Sequence, residues 1–548
     1  MRRREFILGL PLIIYSSKEM LANGEKNILG ASPKYDSCGY RQYTHAENEA
    51  LLTNYCNKYN ILFEDVNRLS NVVKLCILDD VVDGDSLIME KIAEATSSSS
   101  CLYIYGGGTL SVSSEIETQV SIIGDGKTRL KQKEENMSLL VITKSGVTIQ
   151  NIIIIPSNKV KSIKKAGVEI REVELCKLLN LKIQYVGEDN TEGNGITINQ
   201  GDRNVVCNCS FTGANLADNI FHNQGGNDIS VYGASSRNIV ALNYSVGRNI
   251  RGIFQLNDLL GKNCDENIYI ANYTDGALGY GHLCYEKRHD ENTTMRGTKF
   301  LRGVIKNISG SVRIPNGKYK GKKIFGMGVY NQAGKDTYIE DYFIDSVCSD
   351  SQLIELLPIA AIGSTIDTVT IKNNTIINSG FSGIKVSTFT KDSHNKLTII
   401  NNDIKNIKKD GVVVLNCMDI LVNNLKIVNC NYSLRLNNIK SNAGLVSLSM
   451  IESSKNKGIS INNISKVRIS NFSSTDDAFF LIANNVNDIV IENGVVANSK
   501  EMAFYISKTC DNIMINSISI VNSKIGLNIP KWSLLSNVNF KNNINNLK

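Results

Sequence analysis

The chain has 548 residues, too many for one ordinary compact core, so it must be several domains or one extended array of repeats. Hydrophobic residues make up 42%, enough to bury a core, while 6 prolines and 7% aromatics describe a strand-and-turn vocabulary with few useful amphipathic helices. Sixty basic against 53 acidic residues leave a net charge of +7, and no basic run interleaves with aromatics, which excludes nucleic acid as an expected partner.

In chain order, residues 1–23 come first. Arg2-Arg3-Arg4-Glu5-Phe6-Ile7-Leu8 leads into an apolar run that ends at Ile14, too short to span a bilayer. It reads as an export leader, and Arg3-Arg4-x-Phe6-Ile7 resembles a bacterial twin-arginine signal, which implies a periplasmic or secreted protein without stable membrane insertion once the leader is removed. Pro11 interrupts the apolar stretch, and no A-x-A cleavage site follows. Residues 24–80 carry mixed signals and no repeat. The segment 81–130 is expected to hold a capping helix from Asp83-Gly84-Asp85-Ser86, with Asp85 or Ser86 as N-cap and Leu87, Ile88 and Ile92 on one side. A strand Cys101–Tyr105, a turn at Gly106-Gly107-Gly108 and a strand Ser121–Gly126 follow.

From residue 131 to 548 a short unit of alternating β-branched residues ending in Asn recurs: Val147-Thr148-Ile149-Gln150-Asn151, Ile239-Val240-Ala241-Leu242-Asn243, Val369-Thr370-Ile371-Lys372-Asn373, Ile489-Val490-Ile491-Glu492-Asn493. The Asn marks fall about 22 apart late in the chain and about 28 to 35 apart earlier. A period of that size with several short strands per repeat describes a solenoid, because one turn cannot bury its apolar row alone. The asparagines are read as structural corner residues whose amides stack. Gly383, Gly411 and Gly458 precede second strands, where positive φ is expected to turn the corner. The longer early repeats must shed their excess as loops, which places the working face between about residues 180 and 360.

Asp-Gly-x-x, helix, apolar strand, Gly-rich turn and Ile-x-Gly-Asp-Gly, over residues 80–130, resemble the opening of pectate-lyase-like β-helix proteins. That resemblance implies an all-β fold: a single-stranded, right-handed parallel β-helix solenoid with a short N-terminal capping helix. It also implies an acidic polysaccharide as partner, in the manner of exopolysaccharide-processing proteins. It leaves open hydrolase, lyase, epimerase, tailspike depolymerase and non-catalytic binding scaffold, and monomer or trimer.

Hydrolysis needs two carboxylates; elimination or epimerisation of a uronate needs a base and a cation that neutralises the carboxylate. Residues 217–289 hold three of the five histidines and concentrate candidates of both types. Asp218 and Asp228 are the acid/base candidates, with Arg251 and His282 orienting the sugar or its carboxylate. His222, Tyr232, Arg248, Tyr280 and Glu286 are candidate substrate-binding residues. Stacking is expected to bring Asp218 near Arg251, and the insertion 223–228 to hold Asp228 over a groove. The bland readings are a core histidine, a surface ion pair and an Asx turn. No metal site is expected: there is no His/Cys ligand spacing, no acidic calcium pattern and no phosphate loop, so no cofactor is evident and calcium is unsupported. Thirteen cysteines without a framework are read as small buried hydrophobes, Cys207 and Cys209 on one strand face.

Overall fold

The structure is a computed structural model that describes residues 40–62, 71–135, 137–157, 165–186, 194–216, 226–259, 261–286, 295–313, 320–321, 326–332, 334–347, 357–363, 367–388, 396–439 and 446–547. The export-leader reading therefore falls outside the described residues. All registered strand pairs are parallel, with partners one coil apart in sequence, which makes the chain a parallel β-helix. The chain divides into two compact units. One holds residues 1–282, 286–304 and 312–322; the other holds 283–285, 305–311 and 323–548.

In the first unit each coil contributes strands to three faces. The first face runs through Ile116–Thr118, Leu140–Ile142, Val168–Arg171, Ile196–Asn199, Asn227–Tyr232 and Arg251–Asn257. The second runs from Cys101–Tyr105 through Lys177–Leu179, Val205–Cys207 and Ile239–Ala241 to Ile268–Ile270 and Lys299–Leu301. The third includes Lys182–Gln184, Ser210–Asn215, Tyr244–Arg248 and Tyr273–Asp275. Side chains alternate across each strand, so Ile170, Ile198 and Val231 are stacked and fully buried in the coil interior.

Among the described residues, two helices flank the coils of this unit. Helix α1 (His45–Lys58) begins with a capping box, in which the Thr44 hydroxyl accepts from the Glu47 N–H and the Glu47 carboxylate accepts from the Thr44 N–H. Its Leu52 and Cys56, with Tyr59 and Ile61 beyond, pack on the outward side of the second face, against Val205, Cys207, Ile239, Ala241, Ile268 and Ile270. The Tyr59 hydroxyl donates to the Glu266 carbonyl at 2.8 Å, and Arg302 donates to the Glu47 carbonyl at 2.9 Å. This explains a pattern in the sequence: Val-Val-Cys, Ile-Val-Ala and Ile-Tyr-Ile are apolar at every position because both sides of those strands are covered. Helix α2 (Asp85–Ser97) packs Ile88, Ile92 and Ala95 toward the first strands. Its N-cap is Gly84, not Asp85 or Ser86; the Asp85 carboxylate instead accepts from the Ser113 and Ser114 N–H groups.

The mark at Asn243 does not turn a corner: the left-handed residue there is Leu242 (58°), and buried Asn243 donates to Asn272 at 2.9 Å. Asn151, Asn373 and Asn493 do turn corners, with φ of 55° to 56° in the left-handed region that Asn tolerates, as do Asn180, Asn208, Asn401 and Asn463 at 54° to 55°. Their amides form ladders, for example Asn208 to Asn180 at 2.7 Å, and Asn485 to Asn463 to Asn438 at 3.0 and 2.8 Å. The glycines do something different from the expectation. Only Gly458 has positive φ (91°), whereas a Cβ on Gly383 or Gly411 would come within 2.9 Å of Ile404 or 2.7 Å of Ile427. At those two positions glycine supplies room. The corner at Asn208 also corrects the cysteine reading: Cys207 lies under helix α1, while past the turn the Cys209 thiol lies 3.7 Å from the Leu178 carbonyl. The eleven described cysteines are all free thiols, nine of them buried, as small hydrophobes should be. Among the described residues no helix is long and apolar enough to cross a membrane.

Candidate functional site

Helix α1 covers part of the second face, and the outward side of the first face carries charged, polar and aromatic side chains. In register across four coils it carries Glu169, Thr197, Ser230 and Phe254, and beside them Arg171, Asn199, Tyr232 and Leu256. These side chains point away from the coil interior, yet all but Arg171 are buried. The strip is a sunken floor, acidic and basic at one end and aromatic at the other.

At the charged end, Arg171 forks onto Glu169 with Nε–Oε1 at 2.9 Å and Nη2–Oε2 at 3.0 Å, and reaches Glu115 at 3.1 Å. Glu169 also accepts from Ser138 at 2.6 Å and Asn199 at 3.1 Å. Lys165 pairs with Glu115, and exposed Glu117 lies 3.6 Å from Arg171. Burial pushes the Glu169 carboxyl up, but the hydrogen bonds from Arg171, Ser138 and Asn199 together win and hold it below the ordinary range. Glu115 is likewise held low, since Lys165, the Ser138 N–H and Arg171 outweigh its desolvation. Both are therefore anions at neutral pH, suited to gripping hydroxyls and unsuited to donating a proton.

Breaking this cluster has a calculable cost. Arg171→Ala leaves buried Glu169 with neutral donors and only the more distant Lys165 at 4.0 Å, and should destabilise the fold by about 3 kcal/mol at pH 7. Because the depressed Glu169 contributes stability above the usual carboxylate range and loses it in acid, the gap between variant and wild type should close as pH falls toward 3. Urea melts at the two pH values check it; an unchanged gap removes the ion pair as cause.

At the aromatic end, fully buried Arg251 lies 4.6 Å over the Phe254 ring and 5.7 Å from that of Tyr280, and donates to Asn227 Oδ1 at 2.9 Å. Asn227 in turn donates to Asn194 at 3.1 Å. Burial pushes the guanidinium down to about 10, which still leaves it a cation at neutral pH. Its register partner on the preceding coil is Asn227, not the expected Asp218. Asp218 and His222 lie outside the described residues.

Asp228 departs from its expected place over a groove. It sits within the strand Asn227–Tyr232, 3% exposed, and accepts from Tyr185 Oη at 3.1 Å, from Asn249 Nδ2 at 2.7 Å and from the Ser245 hydroxyl. Neighbouring coils have glycine at this corner. A Cβ on Gly195 would meet the Phe211 ring at 2.6 Å, and one on Gly252 would meet Thr274 Oγ1 at 2.3 Å. Asp228 fits because the residue it faces is small Ser245. Burial pushes its carboxyl up to about 6 against the hydrogen bonds from Ser245, Asn249 and Tyr185.

His282 is fully buried, with Nε2 3.4 Å from Thr274 Oγ1 and its ring 6.1 Å from that of Phe300; burial pushes it down to about 3, so it is neutral at pH 7. That setting suits a packed interior ring better than a cation orienting a sugar. Gln255 shares the inner side with Ile253 and accepts from Tyr269 Oη at 2.8 Å. Tyr232 is on the floor and donates to Asp258, whereas half-buried Arg248 is on the third face and donates to the Leu216 carbonyl at 3.2 Å. Tyr280 is buried beside Arg251, and Glu286 ends the strand Tyr280–Glu286. Of the candidates, then, Arg251, Tyr232 and Tyr280 gather about the floor, while Asp228 and His282 do not.

The Glu115, Lys165, Glu169 and Arg171 cluster escaped the sequence reading. Its signal was present in Val168-Glu169-Ile170-Arg171, a strand whose outward positions are both charged. No group of three or more metal-ligating side chains occurs among the described residues.

No known protein family and no curated protein matches the sequence. Among solved structures, the surface adhesin PfbA of Streptococcus pneumoniae is 12% identical with a TM-score of 0.35, covering 77% of this chain and 91% of that one. The A-module of a mannuronan C-5 epimerase from Azotobacter vinelandii is 12% identical with a TM-score of 0.37, covering 76% and 98%. The N-terminal fragment of gene product 12 from bacteriophage Phi29 is 12% identical with a TM-score of 0.41, covering 85% and 92%. None of these likenesses assigns an activity to this chain.

Proposed function

We propose that the chain is an exported, carbohydrate-active protein that holds an acidic bacterial polysaccharide along the first-face floor and cleaves or epimerises it. The observation that carries this reading is the floor itself. Polar, ionised and aromatic side chains repeat at the coil spacing of about 4.8 Å on an outward but sunken strip, as an extended, repeating ligand requires. Arg251 keeps its candidate role in orienting the sugar or its carboxylate, and Asp218 and His222 keep theirs as acid/base and binding group, all on sequence grounds. No resident metal or cofactor enters the proposal.

A non-catalytic binding scaffold is the second reading. It is favoured by the state of the described carboxylates: Glu115 and Glu169 are tied to Lys165 and Arg171, and Asp228 is turned away. One experiment separates the two. Purified protein is incubated with alginate, polygalacturonate and capsular preparations while unsaturated-uronide absorbance, reducing ends and C5 configuration are followed. Absorbance with new ends means elimination; ends alone mean hydrolysis; inverted C5 centres alone mean epimerisation. Binding without any product establishes the scaffold, and absence of both binding and product discards the carbohydrate reading.

A further inference from the structure

In the second unit, charges on the strand faces are balanced from one coil to the next. Lys372 meets Glu340 at 2.8 Å, Lys426 meets Glu452 at 3.4 Å, Lys466 meets Asp488 at 3.4 Å and Arg468 meets Glu492 at 2.8 Å. One corner breaks that rule. Here Lys455 takes the left-handed corner position itself and Lys408, Lys409, Lys457, Lys500 and Lys524 lie just past asparagine or equivalent turns; all six are exposed, and none forms an ion pair among the described residues.

Backbone hydrogen bonds put four of them, Lys409, Lys457, Lys500 and Lys524, in one row. The Lys409 N–H donates to Phe381, the Asn431 N–H to Lys409 and the Lys457 N–H to Asn431. Further along, the Lys500 N–H donates to Asp477 and the Lys524 N–H to Ser499. Lys409, Lys457 and Lys500 are thus two coils apart from each other and Lys524 one more, a line of about 24 Å at the strand spacing. Carboxylates beside it do not cancel it. Asp410 is buried and 3.4 Å from Arg435, and Asp477 is buried and accepts from Ser453, Ser474 and the Asn456 N–H. Exposed Glu501 and half-buried Asp476 are left against six lysines.

We propose that this ridge binds a linear acidic polysaccharide running along the stack of coils, a track separate from the first-face floor. The inference rests on the carbohydrate reading above and adds a second place for the same class of ligand. A cation every one or two coils matches a polymer whose carboxylates recur with each sugar, and a row without countercharge is attractive over a Debye length, about 8 Å in physiological salt. Single-stranded nucleic acid fits less well. It needs open aromatic faces for its bases, and here the Tyr432 ring is already taken by Arg435 at 4.6 Å and Lys457 at 5.8 Å, while Lys409 lies 5.9 Å from Phe381.

The test uses the full chain and the triple substitution Lys409→Glu, Lys457→Glu, Lys500→Glu, with the matching alanine variant as a check on folding by thermal melt. Binding to immobilised alginate, polygalacturonate, neutral dextran and oligothymidylate is measured at low and high salt. Expected are wild-type binding to a polyuronate that weakens steeply with salt, no retention on dextran, and at least a ten-fold loss in the glutamate variant at unchanged melting temperature. Equal binding by variant and wild type overturns the ridge and leaves the floor reading intact. Tighter binding of oligothymidylate than of either polyuronate overturns the ligand class. No binding of any polyuronate by the wild type sinks the ridge and the carbohydrate reading together.

Discussion

Leu52→Asp should strip helix α1 from the second face and open two buried thiols, Cys56 and Cys207. Leu52 is 2% exposed in a cluster with Cys56, Tyr59, Ile61 and residues of five second-face strands, an apolar setting in which a carboxylate is costly. Truncation to Ala alone costs about 3 kcal/mol by lost burial and cavity formation; the charged variant costs more. The readout is thiol chemistry. Burial pushes Cys56 up to about 12 and Cys207 well above its ordinary value, so both should be inert to a disulfide reagent in the wild type. Among the described cysteines, exposed Cys76 reacts first in either protein. In Leu52→Asp, Cys56 and Cys207 should be labelled within minutes, identified by mass spectrometry, while interior Cys209 and Cys264 stay protected. Labelling of all four together would mean global unfolding, and labelling of neither would mean that helix α1 is not held through Leu52.

Asp228→Asn should change how stability responds to pH. A carboxyl raised from 3.8 to about 6 by burial prefers its neutral form in the folded protein. Its contribution is fully present below pH 4 and is lost as pH rises through 6, a swing of roughly 3 kcal/mol for two pH units. Other carboxylates, such as Glu169, slope the opposite way, so the quantity to measure is the difference between variant and wild type. Asn does not titrate, so unfolding free energies from urea melts at pH 4, 5, 6 and 7 should show the variant gaining on the wild type over that range and holding level above it. Parallel curves would mean that Asp228 is ionised without penalty and that its three donors fully offset burial.

How much of this was legible beforehand depends on whether a feature repeats. The coil was, and so were those corners where φ near 55° and a stacking amide ask for Asn; corners taken by Glu172, Leu242 or Ala271 carry no such mark. Helix α1 was not. It buries only Asn48, Leu52 and Cys56 of fourteen residues, too sparse a stripe to register, although the all-apolar triplets it covers were a sign that something lay on them. Asp228 misled because Gly226-Asn227-Asp228 reads as a turn; aligning Gly167, Gly195 and Gly252 as the residues before paired Val168, Ile196 and Ile253 would have placed it. The charged pairs and the lysine ridge join residues about 20 to 55 positions apart, and only the register brings them together.

The amide ladders of the second unit carry a consequence for how such a chain can lengthen. Asn438 donates to Asn416, Asn463 to Asn438 and Asn485 to Asn463, across separations of 22, 25 and 22 residues. Each rung offers its neighbour the same donor above and the same acceptor below, so the rungs are interchangeable parts. Excising one complete turn, cut from one left-handed corner to the next, rejoins like to like, whereas a cut of half that size flips inside and outside and unravels everything downstream. Natural variation in length should therefore come in whole turns.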